Sequence, residues 1–294
     1  MEQKTQENEK KFIIYLHIPK AAGMTVQRMI RRRYGSNLFQ RSVNLIKGSK
    51  NLKFKDAVLS KTMKDRFFMG HFCYGIHHFL PHPYTYITFL REPISRLLSL
   101  YKYSRSNEGS YYHGLARNVS PEDFFFKSNL MELDNGMLRF IVGKNPDLND
   151  MFLNRTRLGE CNQEMLNTAK QHIDKEFSFV GIVEKFDESV VLLKKVLGWK
   201  NAYYLKRNTS SQHHTYQSNH FKFTDELVEK LQEKNQLDLE LYQFAKERFE
   251  RYVNSLGDNF TKEVTEFQKN NANYNRMVLP LYNKYDSLKT LVKG

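Results

Sequence analysis

The sequence predicts an α/β architecture: a mostly parallel sheet with helices on its faces, and a second half that is largely helical. Three observations carry this. Short β-rich apolar runs alternate with segments of helical periodicity, two of those runs lead directly into a helix through a turn of distinctive chemistry, and the region beyond residue 160 reads mainly as helix. The chain has 294 residues, enough for one main domain with a substantial core.

Phe12 to Ile18 (FIIYLHI) is the first apolar run, ending at Pro19 as a buried strand entering a turn would. A helix should follow, with Thr25 available to cap it. Val26, Met29 and Ile30 form its apolar stripe, while Arg28 and Arg31 to Arg33 face outward. Arg66 to Phe72 (RFFMGHF) resembles another short strand. Tyr84 to Leu90 (YTYITFL) repeats the first pattern: Arg91-Glu92-Pro93 follows, and Pro93 suits the first turn of a helix whose buried stripe is Ile94, Leu97, Leu98 and Tyr101. Phe177 to Val183 (FSFVGIV) is the fourth expected strand. Helices are expected over Asn162 to Glu176, Glu188 to Leu197 ending at Gly198, and about Thr224 to Val253, with the tail Asn270 to Gly294 either a docked helix or partly frayed. There is no internal repeat and no low-complexity linker.

Forty-six Lys and Arg against 32 Asp and Glu give a net charge of +14, a field that attracts polyanions without choosing among nucleic acid, phosphorylated nucleotides and acidic polysaccharide. The stretch Met1 to Lys11 has no apolar core of the kind a secretory signal carries, and no apolar run reaches the ~20 residues a membrane span needs, so a soluble protein is expected. Two cysteines, Cys73 and Cys161, are too few for a disulfide framework and point to a reducing cytoplasm, each reading most simply as a buried apolar thiol.

The loop HIPKAAGMT, His17 to Thr25, lies where parallel α/β folds bind anions, beyond the carboxyl end of a strand and at the start of a helix. Ala21, Ala22 and Gly23 are small enough for backbone amides to approach a phosphate. Lys20 adds a positive charge and Thr25 a hydroxyl. The loop lacks the G-x-x-x-x-G-K-[ST] spelling of an ordinary ATP-binding loop, and taken alone it is equally a plain strand-to-helix turn. The second unit supplies Arg91 at its strand end and Ser99 eight residues on, a guanidinium fork and a hydroxyl suited to a second phosphate. Ser95 and Arg96 flank the same helix. His71, Cys73, His77, His78 and His82 cluster in sequence, but H-x-C-x₃-H-H-x₃-H fits no standard zinc spacing.

These segments carry a family resemblance. HIPKAAGMT resembles the 5′-phosphosulfate loop, and FLREPISRLLSLYKY the 3′-phosphate motif, of sulfotransferases that use 3′-phosphoadenosine 5′-phosphosulfate. The nearest type is the carbohydrate sulfotransferase group that includes the heparan sulfate 2-O and 6-O enzymes and many bacterial relatives. FFMGHFCYG, LDNGMLRFIVG, FSFVGIVEKFDES and NQLDLELYQFAKERF extend the resemblance over roughly Phe12 to Phe249. It implies a three-layer fold like that of P-loop nucleotide-binding proteins, with a sulfotransferase domain over 12–260, a flexible tail over 1–11 and a helical tail over 261–294.

The resemblance also implies roles. Lys20, Ala21, Ala22, Gly23, Met24 and Thr25 would hold the 5′-phosphosulfate end of the donor, with Lys20 following the charge on the departing phosphate. Arg91 and Ser99 would hold the 3′-phosphate, and Arg207, Thr209 and Ser210 in RNTS would close over the adenosine, a polar connector being the plainer alternative. His71 would be the general base, and Arg139 would either hold a carboxylate of the acceptor or stiffen the site. The single Trp199 reads as core. The family loop commonly reads PKTAGTT or PKTGGTS, so Ala21 and Met24 remove two hydroxyls and leave more of the binding to backbone amides.

The product would be adenosine 3′,5′-bisphosphate, and the transfer would need no metal. The acceptor would be a hydroxyl, most simply on a carbohydrate. A magnesium-dependent nucleotide kinase on a related fold and a non-catalytic nucleic-acid-binding protein are the competing readings.

Overall fold

In the computed structural model, residues 11–35, 38–41, 67–79, 83–143, 156–206 and 223–291 are described. The chain forms a five-stranded sheet in the order β2-β3-β1-β4-β5, where β1 is Phe12–Leu16, β2 Leu38–Arg41, β3 Phe67–Gly70, β4 Tyr84–Leu90 and β5 Phe177–Ile182. All four pairings are parallel. Every residue of β3 is buried, and so are the last five of β4 and the last four of β5. Consecutive burial leaves no solvent face, so helices cover both sides and the molecule has three layers. The four strands expected from sequence are present; β2, at the edge, is added to them. Its LFQR is too short and too mixed to show a strand period.

The helices are α1 (Gly23–Tyr34), α2 (Pro93–Ser106), α3 (His113–Asn118), α4 (Pro121–Phe126), α5 (Gly136–Val142), α6 (Gln163–Lys175), α7 (Phe186–Val196), α8 (Asp225–Lys234), α9 (Gln236–Ser255) and α10 (Gly257–Leu291). One differs from the sequence reading, and one extends it. The single helix expected over 224–253 is broken at Asn235, whose buried side chain accepts from the Asn135 amide at 2.8 Å and donates to the carbonyls of Leu133 and Leu231. The expected tail is one continuous helix from Gly257, docked through buried Phe260, Val264 and Phe267, with the Asn271 side chain accepting from the Tyr204 amide at 2.9 Å. Among the described residues no helix is long and apolar enough to cross a membrane.

The strand order positions the site. From β1 the chain builds β2 and β3 on one side, then crosses to β4 and β5 on the other. The carboxyl ends of β3, β1 and β4 therefore stand side by side, which is where ligands bind in open parallel sheets. The residues leaving those ends are His71, His17 and Arg91. The Thr88 hydroxyl donates to the Leu16 carbonyl at 2.7 Å and ties β4 to β1 just beneath them.

Candidate active site at the strand ends

The loop between β1 and α1 is strained in a way that suits anion binding. Lys20 (φ 66°) and Ala22 (φ 56°) both lie in the left-handed region, an arrangement that costs side-chain-bearing residues about 1–2 kcal/mol each. Such turns direct successive amides into a concavity. The amides of Ala21, Thr25 and Val26 bond back to Ile18 and Ala22, whereas those of Ala22, Gly23 and Met24 have no acceptor among the described residues. Three donors at a helix N-terminus are thus open to an anion. The expected cap is corrected here: Ala22, not Thr25, is the N-cap of α1, without a side-chain bond, because the turn enters the helix through a left-handed residue. Thr25 sits inside the first turn with its hydroxyl uncommitted to the cap, and Met24 is exposed.

Gly23 is demanded by a neighbour to which the sequence reading gave no role, His17. A Cβ there would fall 1.4 Å from His17 Nε2, so the imidazole fills the space a side chain would need. The expected result for Gly23→Ala is a displaced loop and a loss of about 1–3 kcal/mol in stability, measured by chemical denaturation. An unchanged midpoint would mean that His17 swings aside freely.

Arg91 joins the β4–α2 turn to the β1–α1 loop. Its Nη1 donates to the Lys20 carbonyl at 3.2 Å. The helix behind it starts rigidly: the Glu92 carboxylate caps α2 by accepting from Ile94 N at 3.0 Å and Ser95 N at 2.6 Å, and Pro93 occupies the first turn. Ser95, Ser99 and Tyr103 recur every four residues and share one face of α2. Tyr103 fixes which face that is, since the Lys20 ammonium lies 3.9 Å from its ring centroid. Ser99, half-buried one turn earlier, is therefore on the side of α2 that meets the loop. On the inner side Arg96, fully buried, pairs with Glu132 and Asp238, each at 3.7 Å.

The charges and rings of the cluster set its protonation. Burial first, then the Arg91 guanidinium, lowers Lys20 to about 8, with the Glu132 carboxylate opposing. His17 and His71 stack with centroids 4.2 Å apart and planes at 28°, and Tyr15 also stacks with His17, at 5.5 Å and 15°. His71 Nδ1 lies 2.8 Å from the His17 carbonyl. A carbonyl only accepts, so Nδ1 carries the proton and Nε2 keeps a lone pair. Burial lowers both imidazoles, that of His17 strongly and with help from His71 and Lys20, while the bond to the His17 carbonyl partly offsets the shift in His71. The neighbouring strand ends thus carry an amide nest, two cations and an imidazole whose Nε2 is unprotonated.

Arg139 is used internally. It is fully buried on α5, bonds to the Asp134 carboxylate (2.5 Å) and carbonyl (2.6 Å), and donates to the carbonyls of Thr156 and Arg157. Of the two roles considered for it, stiffening is the one that this burial and these internal bonds suit. Trp199 is core, at 5% exposure. Cys73 is buried and Cys161 half-buried, its thiol pushed up to about 11 by burial. His77 spends Nδ1 on the Tyr86 hydroxyl at 3.0 Å. Arg207, Thr209 and Ser210 lie outside the described residues. Sequence reasoning missed His17 and Tyr103, although each carries a signal: His17 begins the loop motif, and Tyr103 follows Ser99 by one helical turn.

No curated protein sequence matches the chain. Among solved structures it is similar to the crystal structure of mouse sulfotransferase SULT7A1 complexed with PAP, at 13% identity and a TM-score of 0.39, over 77% of this chain and 63% of that one. The chain thus spans less than two thirds of that protein's length. Residues 5–245 match the model of the sulfotransferase family. That match covers most of the chain, including all three strand ends of the crevice, and the protein belongs to the sulfotransferase family.

Proposed function

We propose that the protein transfers a sulfuryl group from 3′-phosphoadenosine 5′-phosphosulfate to a hydroxyl, and that the acceptor is a carbohydrate, as in the bacterial and heparan-type relatives its motifs resemble. The observation that supports the donor assignment is the contact of Arg91 with the Lys20 carbonyl, which brings together two turns remote in sequence. The donor supplies an activated sulfuryl group; the chain's residues bind, orient and move a proton. The amides of Ala22, Gly23 and Met24, with the small Ala21 and the Thr25 hydroxyl, bind the 5′-phosphosulfate end. Arg91 and Ser99 bind the 3′-phosphate, and Arg207, Thr209 and Ser210 close over the adenosine. Lys20 stabilises charge on the leaving phosphate, and His71 Nε2 accepts the hydroxyl proton. Arg139 stiffens the wall beside them. No resident metal is assigned a role. The net charge of +14 suits a multiply anionic donor. The cysteine count supports a reducing, cytoplasmic setting.

Calorimetry with adenosine 3′,5′-bisphosphate, ATP and DNA tests the reading, followed by a screen of acceptors with labelled donor. Submicromolar binding of the bisphosphate without metal, with weak ATP binding, is expected. Tighter magnesium-dependent ATP binding would make the protein a kinase, and DNA binding that weakens linearly on log–log salt plots would make it a nucleic-acid binder. In the same assay Arg91→Ala is expected to weaken bisphosphate binding by about tenfold to a hundredfold, the range of a charge-assisted bond, with a smaller change in kcat. Native affinity in that variant would put the 3′-phosphate elsewhere.

A further inference from the structure

We propose that Tyr103 is a positioning residue for Lys20, its ring face holding the ammonium charged and aimed at the mouth of the loop before the donor arrives. The inference rests on the reading of Lys20 as the cation that meets the leaving phosphate. Lys20 departs from the loop in the left-handed region, which sets its side chain across to α2 rather than along α1, and Nζ stands 3.9 Å from the Tyr103 centroid, well inside cation–π range.

The groups around the ammonium explain why a ring is needed there. Arg91, after β4, repels it, and His17, after β1, is a neutral imidazole that adds no counter-charge. Glu132, from the 3-10 turn at Met131–Leu133, attracts it, yet this carboxylate is turned to other partners. One oxygen accepts from the Tyr112 hydroxyl at 2.9 Å and the other faces Arg96 at 3.7 Å. Among the described residues no carboxylate forms an ion pair with Lys20. The quadrupole of Tyr103 is thus the direct contact that favours the charged form, and it leaves the ammonium hydrogens available because a ring face takes no fixed hydrogen bond. The role needs the ring and not the hydroxyl.

The test replaces Tyr103 while reading Lys20 directly. Lys20 is titrated in the free protein by the pH dependence of its modification with an amine-selective reagent, and kcat is measured with labelled donor. Tyr103→Leu is expected to lower the Lys20 titration by roughly half to one and a half pH units and to lower kcat roughly 2- to 30-fold, with acceptor KM little changed. Tyr103→Phe should restore both. Pentafluorophenylalanine at position 103 keeps the shape and reverses the face charge, so it should behave as Tyr103→Leu does even if the leucine variant folds poorly. A Lys20 titration unchanged in the leucine and fluorinated variants would overturn the proposal, as would a phenylalanine variant that fails to restore it. Because the titration needs no turnover, a wild-type protein that transfers no sulfuryl group would sink the functional reading while leaving the Tyr103 contact still decided by the titration.

Discussion

Lys20→Ala is expected to lower turnover by more than about a hundredfold, the largest effect of any single substitution in the loop. The argument is electrostatic. A preorganised cation aimed at developing charge in a water-poor crevice is worth two to three powers of ten in rate, because the field costs no reorganisation when the bond breaks. Lys20 is held in place for such a role: it is half-buried, anchored by a backbone whose carbonyl is held by Arg91, and supported on the Tyr103 ring. The substitution adds no backbone strain, since alanine and lysine carry the same Cβ penalty at φ 66°. The loss would therefore report the ammonium itself.

The pH dependence follows with its sign. The useful form is protonated, and its titration is lowered to about 8, so kcat/KM should fall as pH rises through about 8 and the ammonium becomes a neutral amine. Lys20→Arg should abolish that alkaline fall, because guanidinium stays charged, while remaining slower through its different geometry. A profile flat to pH 9.5 in the wild type, or an alanine variant within several-fold of it, would remove Lys20 from the chemistry.

What the sequence made legible follows the range of the interactions. β1, β4 and the helices after them are readable because their signals are local: apolar runs such as FIIYLHI and YTYITFL, a turn of small residues, and Pro93 at a helix start. The resemblance of those same segments to a known family named the loop and Arg91, and that of FFMGHFCYG named His71. What was not legible depends on partners far along the chain. The pairing of His71 with His17 spans 54 residues and that of Arg91 with Lys20 spans 71. The break at Asn235 carries no Gly or Pro and arises from an amide a hundred residues away at Asn135. Ala22 as a left-handed cap defies propensity, which gives that conformation to glycine; the anion nest is the feature that would repay such strain. Arg139 could be read locally as far as Asp134, five residues before it, but not to the carbonyls of Thr156 and Arg157 that complete its burial.

His71→Ala is the second variant with a large expected effect, a loss of more than about a hundredfold in turnover with bisphosphate affinity within several-fold of native. The two halves of that expectation have separate origins. On the proposed reading turnover needs a base of defined tautomer: the His17 carbonyl claims Nδ1–H, the stacked imidazole of His17 limits rotation of the ring, and Nε2 keeps its lone pair. Burial lowers the His71 titration below the ordinary imidazole value, so the base form prevails throughout the neutral range and activity should rise through an acid limb lying below about 6.5. On the same reading donor affinity rests instead on the amides of the loop and on Arg91, none of which bonds to the His71 ring. His71→Gln sharpens the test, since an amide retains polarity and approximate size but accepts no proton near neutrality. If it kept native turnover, deprotonation by this imidazole would not be part of the reaction; if it fell with the alanine variant while bisphosphate binding held, the loss would belong to the proton and not to the fold of the crevice.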